Sequence, residues 1–102
     1  MSSSNPRHAI SPASVVAASR DQVSASLGNE TVLLSMESAM YYGIDSVGSR
    51  IWELLQEPIR VSQIRDVITS EYDVDAERCE ADVIAFLQRL LASGLIEVRG
   101  DF

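Results

Sequence analysis

Apolar and polar positions alternate first with a period of two and later with a helical period along this chain. Val23, Ala25 and Leu27 alternate with polar neighbours in "DQVSASLGNETVLLSM", the period of a half-buried strand. Gly28-Asn29 supplies two residues that tolerate the positive φ of a tight hairpin turn. Thr31–Met36 is the expected return strand, Glu37-Ser38-Ala39 a second short connection, and Met40–Ile44 a third strand. The pattern thus predicts a three-stranded antiparallel meander.

Beyond Ile44 the period changes. Val47, Ile51, Leu54 and Leu55 fall on one helical stripe, with Asp45 or Ser46 available as a cap and Pro58 as a stop. A second helix is expected from a cap near Ser62, with Ile64, Val67 and Ile68 inward and Tyr72 closing it. Asp75 is a natural cap for a third helix, with Glu77 and Glu80 near the positive end of its dipole. Cys79, Val83, Phe86, Leu87, Leu90 and Leu91 form its core stripe, and Gly94 sits where a helix commonly stops. "LIEV" after it is either a short strand or a segment that packs down. Three strands followed by three helices is an α+β order. Two short helices before a longer third also suggest a helix-turn-helix core with a β-sheet wing, a winged helix-turn-helix.

The 102 residues suffice for one domain with an ordinary core. "MSSSNPRHAISPAS" is rich in Ser with Pro6 and Pro12 and lacks the apolar core of a secretory signal. Residues 1–19 therefore read as a disordered lead-in, and residues 20–102 as the folded domain. No stretch approaches a membrane span. Cys79 is the lone cysteine, which excludes an internal disulfide and suits a cytoplasmic setting.

The formal charge is −7 and every basic side chain is arginine; apart from Arg7 and Arg20 at the start, the chain is strongly acidic. That balance argues against nucleic acid as the main partner. The third helix, which would read DNA in a winged-helix regulator, presents Glu77, Glu80 and Asp82 against Arg78 and Arg89.

Catalytic chemistry finds no foothold. The single histidine, His8, lies in the lead-in, away from any nucleophile. One cysteine on an apolar stripe is a small buried hydrophobe rather than a metal ligand. Gly43 and Gly48 are too isolated to form a phosphate loop, and Asp73 and Asp75 are turn and cap residues. The expectation is a binding protein with no catalytic site, cofactor or metal.

A small sheet has proportionally large edges, and an open edge can pair with an extended peptide. On the third helix, Ala81, Ile84, Ala85 and Gln88 make a second, flanking stripe. Ile84 is either a peptide contact there or a residue at the core boundary. Within the third strand, Met40, Tyr42 and Ile44 share one face and Tyr41 and Gly43 the other. The apolar trio is expected inward, with Gly43 letting a guest backbone approach closely.

"MYYGIDSVGSRIWELL", "VSQIRDVITSEYDVDAE" and "DVIAFLQRLLASGLI" together resemble the PqqD-like proteins, also called RiPP recognition elements, over about residues 20–98. Aromatic-Gly-hydrophobic-Asx, a helix of small residues and Trp, "EYDVD", and L-x-x-L-x-x-x-G-L-I occur in the family's order. The resemblance implies a small winged-helix fold that holds the leader of a ribosomally made precursor peptide between the third strand and third helix, as an added β-strand. Carried onto this chain, it implies contacts from Met40, Tyr41, Tyr42, Gly43 and Ile44, and from Arg78, Ala81, Asp82, Ala85 and Arg89 with Ile84 nearby. It further implies hand-over to a leader peptidase and a macrolactam-forming cyclase, as in lasso peptide pathways. Two alternatives stay open: a PqqD-type chaperone of pyrroloquinoline quinone synthesis with a radical SAM partner, and a winged-helix DNA-binding regulator. A monomer is expected, or a weak dimer paired through the third strand.

Overall fold

The computed structural model describes residues 10–20, 22–27, 30–35 and 40–101. The expected meander is present. Strands β2 (Gln22–Leu27), β3 (Glu30–Ser35) and β4 (Met40–Ile44) form one antiparallel sheet in the order β2-β3-β4. The register runs from Leu27↔Glu30 to Gln22↔Ser35 and from Thr31↔Ile44 to Ser35↔Met40. The expected connections at Gly28-Asn29 and Glu37-Ser38-Ala39 lie outside the described residues, as does Met36.

All three helices form where the periodicity places them: α1 (Ser46–Leu54), α2 (Val61–Glu71) and α3 (Ala76–Ala92). Their ends follow from local chemistry. The Asp45 carboxylate accepts from the Gly48 N–H at 2.8 Å and starts α1. The Asp75 carboxylate accepts from the Arg78 N–H at 3.0 Å and starts α3. Ser62 does not cap α2, contrary to expectation. The cap position falls on Arg60, whose N–H donates to Gln63 Oε1 at 3.1 Å. Val61, the more apolar neighbour, is drawn fully inside. At the end of α3, Leu95 N–H donates to the Leu90 carbonyl at 2.9 Å and Gly94 N–H to Leu91 at 3.1 Å. Gly94 takes φ 75° to make that closure, a backbone state that glycine adopts without penalty.

The expected boundary at residue 20 is corrected. Ser14–Ala18 is a strand, β1, in the middle of a second antiparallel sheet, between β5 (Ile59–Arg60) and β6 (Ile96–Asp101). Val16 is wholly buried and Ala17 nearly so. Further bonds tie this segment to the helical half: Ala18 N–H to the Leu55 carbonyl at 2.7 Å, Ser19 N–H to Leu95 at 2.8 Å, and Ser62 N–H to the Pro12 carbonyl at 2.9 Å. Serine content suggested solvation, but Ser14 satisfies itself locally. Its Oγ accepts from the Ser11 N–H at 3.0 Å, so its burial leaves no orphaned hydroxyl. Residues 1–9 lie outside the described residues.

One core joins both sheets to the helices. It includes Val16 and Ile96 from one sheet, Leu33 and Ile44 from the other, and Ile51, Trp52, Leu55, Ile64, Ile68, Val83, Leu87 and Leu90 from the helical half. The path α1-β5-α2-α3-β6 is a helix-turn-helix core with flanking strands, and β4 with its meander lies beside α1 and α3. Among the described residues, no helix is long and apolar enough to cross a membrane.

Two ion-pair groups brace the helices. Arg50 on α1 forks onto Glu71 at the end of α2, with distances of 2.9–3.2 Å, and also reaches Glu53 at 3.0 Å. Arg65 on α2 meets Glu80 on α3 at 2.6 Å and its neighbour Asp66 at 2.9 Å. The hydrogen bonds from Arg50 hold the Glu71 carboxyl below the ordinary carboxylate range. A carboxylate with a depressed folded-state pKa contributes stability above its unfolded pKa and loses it as pH falls through the folded one. Glu71→Gln is therefore expected to lower the urea midpoint slightly at pH 7. The gap from wild type should close below the carboxylate range; a gap constant down to pH 2 would show that the pair contributes nothing.

Candidate peptide-binding groove

β4 ends its sheet. One side pairs with β3, and among the described residues no strand pairs with the other. Five residues of backbone from Met40 to Ile44 thus present outward N–H and C=O groups at every second position.

Beside the C-terminal end of this edge lies a cavity of about 340 Å³ between β4, the start of α1 and α3. Its lining is apolar at depth, from Ile44, Ile51, Ile68, Cys79 and Val83, all buried. Val47, Gly48, Val74 and Phe86 complete the walls. Asp45, Arg78, Asp82 and Arg89 contribute the charge.

Several features keep the groove open. Gly48 sits at the tightest point: an added Cβ there would stand 3.1 Å from Ile44 Cβ, 3.3 Å from Asp45 Oδ1 and 3.4 Å from the Phe86 ring. Glycine lets α1 approach both β4 and α3 at that point. At Gly43 the reverse holds, because an added Cβ would meet nothing within 4 Å. Neither φ nor packing demands glycine there, so space beside the edge strand is what its missing side chain leaves. Val74, 47% exposed, is the one large hydrophobic side chain that stands out in solvent among the described residues, and it lies at the groove.

Helix geometry sorts the expected α3 contacts. At about 100° per residue, Arg78, Asp82, Phe86 and Arg89 line one flank of the core stripe. Ile84 stands roughly 150° round the helix from them. It packs at the core boundary, on the flank where Glu80 meets Arg65 of α2, and does not line the cavity. Ala81 and Ala85 are exposed and also outside the lining. Of the sequence-derived positions, Gly43, Ile44, Arg78, Asp82 and Arg89 come together at the groove. Met40, Tyr41 and Tyr42 lie on the open edge by their backbone, and their side chains lie outside the described residues. Phe86 and Val74 were missed as groove residues. Phe86 blends into the core stripe, although its spacing from Arg78 and Asp82 was a signal; Val74 hides between two turn aspartates.

Electrostatics at the rim are loose. Arg78 Nε stands 3.9 Å from Asp82 Oδ2, with both side chains more than 70% exposed. Arg89 lies over the Phe86 ring, 5.8 Å from its centroid, and forms no ion pair among the described residues. At the floor, burial pushes the Cys79 thiol pKa up, and Asp82 adds to the shift, so the thiol stays protonated and unreactive. Among the described residues, no group of three His, Cys, Asp or Glu side chains could hold a metal ion.

The chain resembles known proteins in sequence and in fold. The family model for coenzyme PQQ synthesis protein D (PqqD) matches residues 30–96. The chain belongs to the PqqD family. Among solved structures, TbiB1 in complex with the TbiA(beta) leader peptide is 41% identical, with a TM-score of 0.73, over 84% of this chain and 98% of that one. The PqqD truncation of Methylobacterium extorquens PqqCD, a functional and stand-alone RiPP recognition element, is 26% identical over 88% of this chain and 96% of that one, also with a TM-score of 0.73. A lasso peptide synthetase B1 complexed with its leader peptide is 22% identical, with a TM-score of 0.70, over 79% and 95% of the two chains, and shares the fold. No curated protein matches the chain significantly. This PqqD-family domain accordingly has the α+β fold of its relatives, with three helices and the antiparallel meander in the expected places.

Proposed function

We propose that this PqqD-family protein is a non-catalytic recognition element that captures the leader of a ribosomally made precursor peptide. The leader adds a strand to β4 and lays side chains into the groove along α3. The observation that carries this reading is the unpaired edge of β4 opening onto an apolar groove. The 41% identity with TbiB1, a protein held with a leader peptide, supports it. Main-chain pairing gives affinity that any extended peptide shares, and the groove gives selection. One or two buried apolar anchors contribute about 1.5–3 kcal/mol each before ordering costs, in keeping with micromolar to nanomolar capture and later release.

The same reading assigns the protein to a lasso peptide pathway, where it presents the bound precursor to a leader peptidase and then a macrolactam cyclase, in the cytoplasm. The mixed charge on the exposed side of α3, with Glu77 and Asp82 beside Arg78 and Arg89, offers DNA phosphates no net attraction.

The test uses the leader of a precursor peptide sought among the genes beside this one. Its addition is expected to shift backbone amide signals of residues 40–44 and of α3. Shifts clustered elsewhere, or no binding, would sink the proposal. Gly43→Val refines it. The new side chain enters open space and suits a strand, so thermal unfolding should hardly change. It crowds the guest side chain that pairs beside position 43 on the same face, and leader affinity should fall about tenfold, roughly 1.4 kcal/mol. Wild-type affinity in this variant would place the guest strand elsewhere.

A further inference from the structure

Resting on leader capture at this groove, we propose that Arg89 is a specificity-determining residue that selects an acidic side chain two positions from the leader's apolar anchor. Three observations converge on it. Arg89 lines the cavity, yet forms no ion pair with any described residue. Its guanidinium is held over the face of Phe86, itself part of the cavity wall, 5.8 Å from the ring centroid. That contact leaves the charge at the lip unneutralised, and the guanidinium N–H donors stay free for a carboxylate. By contrast, Arg78 has Asp82 within 3.9 Å, so its charge is already partly answered.

The spacing follows from strand geometry. Side chains two apart on an extended guest share a face and stand about 7 Å from one another. An apolar anchor resting against Phe86 therefore brings the side chain two positions away under the Arg89 guanidinium. A carboxylate there gains a charge-assisted pair, whereas a lysine or arginine meets like charge. The protein's overall charge of −7 sharpens the choice, since the acidic surface as a whole repels an acidic leader while the Arg89 lip attracts its carboxylate.

The experiment is a selection from a displayed library of random twelve-residue peptides on the intact chain, in parallel with Arg89→Glu and Arg89→Lys. Wild type should enrich Asp or Glu two positions from a large apolar residue. R89E should enrich Lys or Arg at the same position, and R89K should keep a weakened acidic preference. For a selected acidic peptide, R89E should weaken binding about three- to tenfold at low salt, with the difference shrinking in 0.5 M NaCl. Unchanged unfolding of R89E would separate recognition from structure. If peptides bind with shifts at β4 and α3 but show no acidic preference, or the preference survives in R89E, the role of Arg89 is overturned and leader capture stands. If no peptide binds at β4 and α3, both fail.

Discussion

Proline at Tyr41 and proline at Tyr42 are expected to fail in opposite ways. Successive amides in a strand point to opposite sides, so one of the two N–H groups enters the ladder to β3 and the other points to the open edge of β4. Proline removes the donor and adds a ring in its place. On the β3 side this breaks a sheet bond, and the domain should lose about 1–3 kcal/mol in urea unfolding. On the open side the fold should persist while leader affinity drops tenfold or more, because a main-chain bond is lost and the ring blocks the guest. Tyr41→Ala and Tyr42→Ala control for the lost rings. Two proline variants that both bind leader as wild type does would exclude strand addition at β4.

A chain beginning at Arg20 is expected not to fold. The apparent domain boundary would remove β1, the strand to which both β5 and β6 pair, along with the partners of the Leu55, Ser62 and Leu95 main chains. Circular dichroism should show no cooperative melt. Val16→Asp makes the same point in the full chain. A carboxylate at a wholly buried site without a partner costs several kcal/mol, a large part of the 5–15 kcal/mol that holds a typical domain together. Cooperative unfolding of the truncated chain near the wild-type temperature would show β1 to be an ornament rather than the centre of its sheet.

These two experiments bracket what could and could not be read in advance. Tyr41, Gly43 and Ile44 stood out because alternation and a following cap mark a strand that ends at a helix. The edge itself was inferred from the small size of the sheet and found in the strand order. Ser14–Ala18 gave no such mark. "SVVAA" is a short apolar run between Ser and Pro residues, too brief to display a period and lodged in a composition that signals solvent. On α3, the residues flanking the core stripe could be enumerated, but neither flank announced its neighbour. Ile84 packs at the core boundary, and Phe86, expected in the core, forms a wall of the groove.

The sequence by itself determined the elements: the meander, three helices, the aspartate cap of α3, the glycine stop and the family. Each of these rests on interactions within a few residues or on a spacing repeated along the chain, and both are written in order. Only the tertiary structure decided that β1 is a central strand, that β4 lies at an edge, and that the Arg78–Asp82–Phe86–Arg89 flank rather than the Ile84 flank faces it. Strand partners and the covered side of a helix depend on contacts between residues far apart in the chain. A local pattern shows that a residue lies on a face; it does not show what that face meets.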